Sequence, residues 1–183
     1  SGVKHSPELL TKGAAAREES YITTCIGDAE RVIYERCMKE PETHFVVYGG
    51  DGTVCEAVNG IVKAGAGHKA LLSVVPTGTG NDFVRNFDRP ELFSDMEAQI
   101  CGEAGDTDVI LYNDRIAVNM INIGFDCYVA MRMNKIKRNK WVPRGCEYIA
   151  ALVIEFCRKS GVTFSTVTLD GEALDEKSFL LGC

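Results

Sequence analysis

A pattern of strand, glycine turn and helix start at residues 44–60 constrains the fold of this chain more than any other feature. A short, mainly apolar run at 44–48 precedes Gly49-Gly50-Asp51-Gly52-Thr53. Such a run bounded by glycines predicts a buried strand. Apolar residues then recur at helical spacing. Thr53, with Glu56 three residues later, forms a capping-box pattern, which predicts that the helix begins there.

This layout suits the binding of a phosphate group. Gly49, Gly50 and Gly52 leave their backbone N–H groups unshielded, and the start of a helix adds unpaired N–H groups and partial positive charge. Asp51 would repel a phosphate unless Mg²⁺ lies between them or the carboxylate takes a proton from an attacking hydroxyl. The same residues would also suit a plain tight turn with Asp51 as a turn residue.

A second strand, turn and helix start follows about twenty-five residues later. Residues 71–75 are apolar, Pro76-Thr77-Gly78-Thr79-Gly80-Asn81-Asp82 is a turn of small residues, and Asn81 or Asp82 is the predicted N-cap of the next helix. The intervening helix at 54–64 predicts a right-handed parallel crossover. Both glycine turns are then expected at the carboxyl ends of neighbouring strands, where open α/β sheets bind ligands.

These motifs resemble a known family. Gly49 to Thr53, followed by Glu56-Ala57-Val58-Asn59-Gly60 and then by the turn that runs from Pro76 to Phe83, resemble the catalytic domain of diacylglycerol kinases, a family that includes sphingosine kinase-like and bacterial lipid kinases. The first motif also occurs in NAD kinases, and the second is the more specific one. The resemblance implies an α/β fold whose N-terminal parallel-sheet domain is like those of phosphofructokinase and NAD kinase. It also implies a transferase that uses ATP and Mg²⁺ to phosphorylate a lipid hydroxyl, such as that of diacylglycerol, in phospholipid biosynthesis.

Site roles follow from the motifs and the resemblance together. Asp51 is the expected catalytic residue, which either holds Mg²⁺ through water or activates the acceptor hydroxyl. The expected nucleotide-binding residues are Thr23, Gly49, Gly50, Gly52, Thr53, Thr77, Gly78, Thr79, Gly80 and Asn81. Glu56 is expected to cap a helix rather than to act in catalysis.

The pattern changes near Asp106, which predicts a nucleotide-binding domain at 1–106 and the start of a β-rich lipid-substrate domain at 107–183. Two hairpins are predicted in the second part, on Asn113-Asp114 and on Asp170-Gly171. The segment that ends in Gly124-Phe125-Asp126 resembles the family's entry into that domain. Asp126 is expected to cap the next helix, or to shape a lipid head-group site.

Other local signals predict further elements, among them a short helix at Leu9-Leu10 and strands at 162–169 and 177–181. Tyr21 to Thr24 is rich in β-branched residues and predicts a strand, and Asp28 is the expected N-cap of the helix after it. Ser94 to Glu97 predicts a second capping box and a helix to Cys101. Two helices are predicted after Asp126. Basic residues beside Trp141 in this part would contact anionic lipid, or form a solvated charged face.

Composition sets the compartment and the partners. The formal net charge of −6 argues against nucleic-acid binding. The eight cysteines show no zinc-type spacing, so we expect mostly buried thiols in a reducing cytoplasm. No apolar run is long enough to cross a bilayer, so a lipid substrate would be met peripherally at the membrane surface. A homodimer is compatible with the sequence.

The chain is expected to be a fragment of a longer kinase. Ser1-Gly2 matches the end of the family's opening turn. The family's later Gly-Gly-Gly turn, the Asp-Gly pair that it links to Mg²⁺ and a further carboxylate are missing. Two alternatives stay open at this point. The first is an NAD kinase-like enzyme with a soluble acceptor, and the second is a non-catalytic module that binds nucleotide or lipid.

Overall fold

The computed structural model describes residues 19–136, 146–157, 167–174 and 181–182. Within these ranges the helices are α1 (Asp28–Lys39), α2 (Asp51–Lys63), α3 (Asp82–Arg85), α4 (Met96–Cys101), α5 (Phe125–Ile136) and α6 (Glu147–Cys157), with a 3₁₀ turn at Pro90–Ser94. The strands are β1 (His44–Gly49), β2 (Leu71–Pro76), β3 (Ile110–Tyr112), β4 (Arg115–Ala117), β5 (Ile123–Gly124), β6 (Val167–Leu169), β7 (Glu172–Leu174) and β8 (Leu181–Gly182).

The centre of the N-terminal half is the predicted parallel crossover. Strands β1 and β2 pair in parallel, from His44 opposite Leu71 to Gly49 opposite Pro76, and helix α2 connects them. Helix α1 packs against α2, and their backbones come close at Gly60, where an added Cβ would lie 2.6 Å from the carbonyl oxygen of Glu30. The α/β architecture expected from the sequence is therefore confirmed.

The core lies between the helices and this sheet. Its buried members come from α1, α2, the loop after α2, both strands and α3, and they are Ile33, Cys37, Val47, Val54, Ala57, Ile61, Ala66, Val74, Phe83 and Val84. The ring of Phe87 packs edge-on against Phe83 at a centroid distance of 5.3 Å and against Phe93 at 5.0 Å. Burial of these side chains fixes α3, and with it the second glycine turn, on the sheet.

A side chain of α4 covers part of the outer edge of β2. Gln99 accepts a hydrogen bond from the N–H of Val74 at 2.9 Å and donates to the carbonyl of the same residue at 3.1 Å. The amide of Gln99 thus replaces one residue of a neighbouring strand.

Among its described residues, the second half contains three antiparallel strand pairs, β3–β4, β5–β8 and β6–β7. The hairpins on Asn113-Asp114 and on Asp170-Gly171 are confirmed. Asp170 and Gly171 have φ values of 51° and 86°, as a type I′ turn requires. Both helices predicted after Asp126 form, as α5 and α6, and they pack on each other with an ion pair of 2.6 Å between Arg132 and Glu155.

Several local predictions were wrong. Tyr21 to Thr24 is not a strand, because the backbone bends at Cys25 and the N–H of Thr24 donates to the carboxylate of Asp28. Several N-cap residues also differ from the predicted ones, because the helices begin at other residues than the sequence patterns indicated. Gly27, Gly50 and Asp95 hold the N-cap positions expected for Asp28, Thr53 and Ser94, and Asp126 lies inside the first turn of its helix.

The cysteines are also more exposed than expected. Of the seven that the structure describes, all are free thiols and only Cys37 is buried, while Cys25, Cys101, Cys146 and Cys157 are exposed. Helical spacing places a cysteine on a helix but does not decide whether that helix face is covered.

Some predictions fall outside the described residues. They concern the helix at Leu9-Leu10, the tryptophan and basic residues at 137–144, and parts of the strands predicted at 162–169 and 177–181. Within the described ranges, no helix combines the length and apolar character that crossing a membrane requires.

Candidate active site

The two glycine turns meet at the carboxyl ends of β1 and β2. The N–H of Thr77 donates to the carbonyl of Gly49 at 3.0 Å, which extends the strand pairing by one residue. Gly50 and Gly78 then touch through their backbones, because a Cβ added to Gly78 would lie 2.5 Å from the Cα of Gly50. The structure therefore brings both predicted turns together on one edge of the sheet.

Asp51 connects the two turns directly. It is the first residue of α2, yet its Oδ1 accepts a hydrogen bond of 2.9 Å from the N–H of Phe83 at the start of α3. Its Oδ2 faces Gly80, where an added Cβ would lie 3.1 Å from it and 3.4 Å from Oδ2 of Asp82. Oδ1 of Asp51 is thus hydrogen-bonded to the backbone, and its Oδ2 lies near Gly80, as does Oδ2 of Asp82.

The first turn of α2 contains the N–H groups that suit an anion. The N–H groups of Thr53 and Val54 both donate to the carbonyl of Gly50, at 3.0 and 3.1 Å. Helix geometry leaves those of Asp51 and Gly52 without an intrahelical acceptor. Gly52 is exposed, and an added Cβ there would meet no atom within 4 Å. The start of α2 is therefore open on the side of Gly52.

An open cavity of about 450 Å³ lies beside this helix start. It is lined by residues of the loop before α1 and of the first two turns of α2: Thr23, Thr24, Cys25, Ile26, Gly52, Thr53 and Glu56. Three residues predicted for nucleotide binding, Thr23, Gly52 and Thr53, are thus brought together around one cavity.

Glu56 shapes this cavity by holding the start of α1. Its carboxylate accepts hydrogen bonds from the N–H of Gly27 at 2.9 Å and from that of Ala29 at 3.3 Å. Glu56 is therefore a cap, as expected, but it caps a helix other than its own. The spacing from Thr53 gave no sign of this, because the contact depends on how α1 and α2 cross.

Asp28 organises the same loop from the other side. Its carboxylate accepts from the N–H and hydroxyl of Thr24, from the Tyr21 hydroxyl and from the Arg31 guanidinium. These bonds, the backbone bond from Thr24 first, lower the pKa of Asp28 to about 2. The hydrogen bond between the Tyr21 hydroxyl and the Asp28 carboxylate raises the pKa of Tyr21. The loop that carries Thr23 is thus braced by two carboxylates, neither of which was predicted to contact it.

The second turn is held in shape by its own asparagine. Asn81 has a left-handed backbone with φ 56°, which asparagine tolerates better than most residues. Its side chain accepts from the N–H of Gly78 at 2.9 Å and donates to the Gly78 carbonyl at 3.0 Å. Thr77 and Thr79 are exposed on this turn and Gly80 is half-buried. Asn81 occupies the predicted N-cap position, but its side chain makes no cap bond.

Magnesium fits this site only as a hydrated ion. Among the described residues, no group of three or more His, Cys, Asp or Glu side chains could hold a metal. Mg²⁺ in phosphoryl-transfer sites uses one or two carboxylates and takes its other ligands from water and phosphate. Asp51 and Asp82, whose Oδ2 atoms flank Gly80, match that smaller requirement.

The region expected near the acceptor is only partly described. Gly124 has a positive φ of 85° at the end of β5, and Asn122 has a buried Oδ1 without a hydrogen-bond partner in the described part of the chain. Of the basic residues predicted to contact lipid, Arg132 is instead paired with Glu155 of α6.

Two glycine turns at the end of a parallel strand pair, each leading into a helix, are an arrangement that suits phosphate binding in an open α/β sheet. The model of the diacylglycerol kinase catalytic domain matches residues 4–112 of this chain. The chain belongs to the diacylglycerol kinase catalytic domain family.

Curated relatives agree with this assignment. The chain is 33% identical over 125 residues to a diacylglycerol kinase of Bacillus subtilis, which covers 66% of this chain and 40% of that protein. It is 35% identical over 101 residues to a probable lipid kinase YegS-like of Enterobacter, covering 54% of this chain and 33% of the relative. A diacylglycerol kinase of Staphylococcus aureus is 36% identical over 117 residues, with 62% and 36% covered. The chain thus spans well under half the length of these relatives. No solved structure matches it.

Proposed function

We propose that this chain contains the nucleotide-binding domain, at 1–106, and the start of the lipid-substrate domain, at 107–183, of an ATP-dependent lipid kinase. That enzyme would transfer the γ-phosphate of ATP to a lipid hydroxyl, such as that of diacylglycerol. The observation that carries the proposal is the direct contact between the two glycine turns, with Gly50 against Gly78 and the carboxylate of Asp51 bonded to the N–H of Phe83. This contact provides one continuous backbone surface for a polyphosphate, and the family relationship supplies the reaction class.

In this proposal the phosphates lie against the start of α2. The N–H groups of Asp51 and Gly52 would donate to phosphate oxygens, and the helix dipole adds favourable charge. Thr23 and Thr53 would contact the nucleotide from the cavity beside Gly52. The remaining backbone contacts come from the two turns: Gly49, Gly50, Thr77, Gly78, Thr79, Gly80 and Asn81.

Asp51 and Asp82 would hold Mg²⁺ on the side of Gly80. When bound, the ion would neutralise charge on the phosphates. Because Oδ1 of Asp51 already accepts from the N–H of Phe83, Oδ2 is the more available oxygen, either to contact the ion or to accept a proton from the acceptor hydroxyl. Both roles therefore fall mainly on the same oxygen, and metal titration of an Asp51→Asn variant separates them. A metal role predicts weaker Mg²⁺ affinity, and a base role predicts a lower kcat at unchanged Mg²⁺ affinity.

The acceptor would be a membrane lipid reached from the cytoplasm by peripheral association. The test is phosphate transfer from labelled Mg·ATP by the intact protein, with diacylglycerol, a sphingoid base, undecaprenol and NAD offered in parallel. Labelled lipid with unlabelled NAD is the expected result, and Asp51→Asn should strongly reduce the labelling of lipid. Labelled NAD would identify a soluble-acceptor kinase, and nucleotide binding without transfer to any acceptor would identify a non-catalytic module.

A further inference from the structure

A side-chain amide of α2 holds the first hairpin of the second half. Asn59 donates from Nδ2 to the carbonyl of Ile116 at 2.9 Å, and its Oδ1 accepts from the N–H of the same residue at 2.9 Å. Nδ2 also donates to the carbonyl of Cys55 at 2.7 Å. Asn59 is only 5% exposed. The two carbonyls and the N–H fix the orientation of the amide without ambiguity.

The contact needs an amide of this length. Ile116 lies in β4, and both of its backbone groups point away from β3, so Asn59 replaces the missing strand on that edge. Aspartate would lack the donor, and leucine would lack both groups. Leucine would leave the buried N–H of Ile116 unsatisfied, which is costly. Aspartate would leave the carbonyl of Ile116 with only the weak thiol donor of Cys55, at 3.3 Å.

The segment that follows the hairpin contacts the helix of the second glycine turn. Asn86, at the C-cap of α3, donates to Oδ1 of Asn119 at 2.8 Å. Asn59 lies eight residues beyond Asp51 on α2, or about 12 Å along a regular helix. Residues 116–119 are therefore fixed to both helices whose first turns form the proposed phosphate site, and they lead to the segment ending in Gly124.

We propose that Asn59 is a positioning residue that sets the segment from Ile116 to Gly124 relative to the glycine turns, and thereby places the lipid hydroxyl for phosphoryl transfer. This inference rests on the proposed function, because it names the lipid acceptor as the substrate whose position Asn59 controls. Displacement of a reacting group by about 1 Å can lower a rate by roughly a hundredfold. Loss of the Asn59 contact should therefore impair use of the acceptor while nucleotide binding is retained.

The chain offers a matched control in Gln99. Its amide makes the same paired contact with a strand backbone, at Val74 of β2, but it has no bond to the hairpin. Asn59→Leu and Gln99→Leu both remove an amide that satisfies one residue of a strand edge. Asn59→Ser is the milder variant, because it removes the long amide without burying a charge, and it serves if Asn59→Leu does not fold.

The experiment measures two properties of the intact variants. In steady-state kinetics on folded protein, Asn59→Leu should lower kcat/KM for the lipid roughly tenfold to a hundredfold while the Kd for Mg·ATP changes less than about twofold. Gln99→Leu should leave kcat/KM for the lipid near that of the wild type. Equal losses in both variants, or a loss that follows ATP affinity, would overturn the positioning role.

Hydrogen exchange separates this inference from the proposed function. In Asn59→Leu, amides of residues 110–122 should lose protection while those of β1 and β2 keep it. Unchanged protection at 110–122 would refute the inference whatever the enzyme phosphorylates. If the wild type phosphorylates no lipid, the proposed function fails, and a selective loss of protection would then support only the attachment of the hairpin by Asn59.

Discussion

Replacing Gly78 by alanine should separate the two glycine turns. The added Cβ would lie 2.5 Å from the Cα of Gly50 and 2.8 Å from Oδ1 of Asn81. Neither is the end of a flexible side chain, because one is backbone and the other is held by two hydrogen bonds to Gly78 itself. The turn must move, or both Asn81 bonds must break.

The two routes give a similar magnitude. Overpacking against backbone costs about 1–3 kcal/mol, and two hydrogen bonds contribute about 1 kcal/mol each. We therefore expect Gly78→Ala to lower the free energy of unfolding by about 2 kcal/mol, measured by denaturant titration. If the displaced turn costs the same free energy in Mg·ATP binding, the Kd for Mg·ATP should rise roughly thirtyfold, as measured by calorimetry.

Gly52→Ala is the informative partner variant. Gly52 lies in the first turn of α2 and its Cβ would meet open space, so alanine should stabilise the helix by about 0.5–1 kcal/mol. The same methyl group would occupy the space proposed for phosphate, so ATP affinity should fall despite the higher stability. Gly67→Ala, whose Cβ also meets open space but outside the site, should change neither ATP affinity nor activity. Wild-type ATP affinity in both Gly52→Ala and Gly78→Ala would refute the proposed phosphate position.

Further predictions concern stability, acid sensitivity and the nucleotide cavity. Asp51→Ala should abolish kinase turnover and leave the N–H of Phe83, in the first turn of α3, without its acceptor, for a loss of about 1 kcal/mol in the unfolding free energy, checked by activity and denaturation together. Gly60→Ala should destabilise the protein by about 1–2 kcal/mol, because a Cβ 2.6 Å from a carbonyl of α1 forces the helices apart, offset by higher helix propensity; an unchanged denaturation midpoint would contradict this. The pKa of Asp28 is lowered from 3.8 to about 2, so its contribution to stability is complete above about pH 4 and is lost as the pH falls towards 2. In Asp28→Asn the free energy of unfolding should depend less on pH between about 4 and 2. An unchanged pH dependence would show that this carboxylate does not contribute to it. Glu56→Gln should raise the Kd for Mg·ATP, because an amide cannot accept from both N–H groups at the start of α1; unchanged affinity would show that the cavity does not depend on this cap.

The parts of the fold that could be predicted are those set by short-range pattern. The apolar runs of β1 and β2 and the helical spacing between them predicted a parallel crossover, and the crossover in turn placed Gly50 near Gly78. The turn residues at Asp170-Gly171 needed a positive φ and predicted their hairpin directly.

The parts that could not be predicted depend on contacts between distant residues. Glu56 stands at capping-box spacing from Thr53, but its carboxylate reaches the start of α1, twenty-seven to twenty-nine residues away. In the sequence Asn59 is an ordinary polar residue of a predicted helix, and its role is evident only from its hydrogen bonds to β4. Tyr21 to Thr24 has strand composition, but composition supplies no neighbouring strand, and Asp28 takes its backbone donor instead.

The amide of Gln99 has a consequence for how the parallel sheet can be extended. Because both backbone groups of Val74 are taken by one side chain, no further strand can pair with β2 at that residue without displacing α4. An additional strand that pairs along the full length of this sheet would therefore have to pair with β1. A crosslink between one cysteine placed on the outer edge of β1 and another on a candidate strand would show that the added strand lies next to β1.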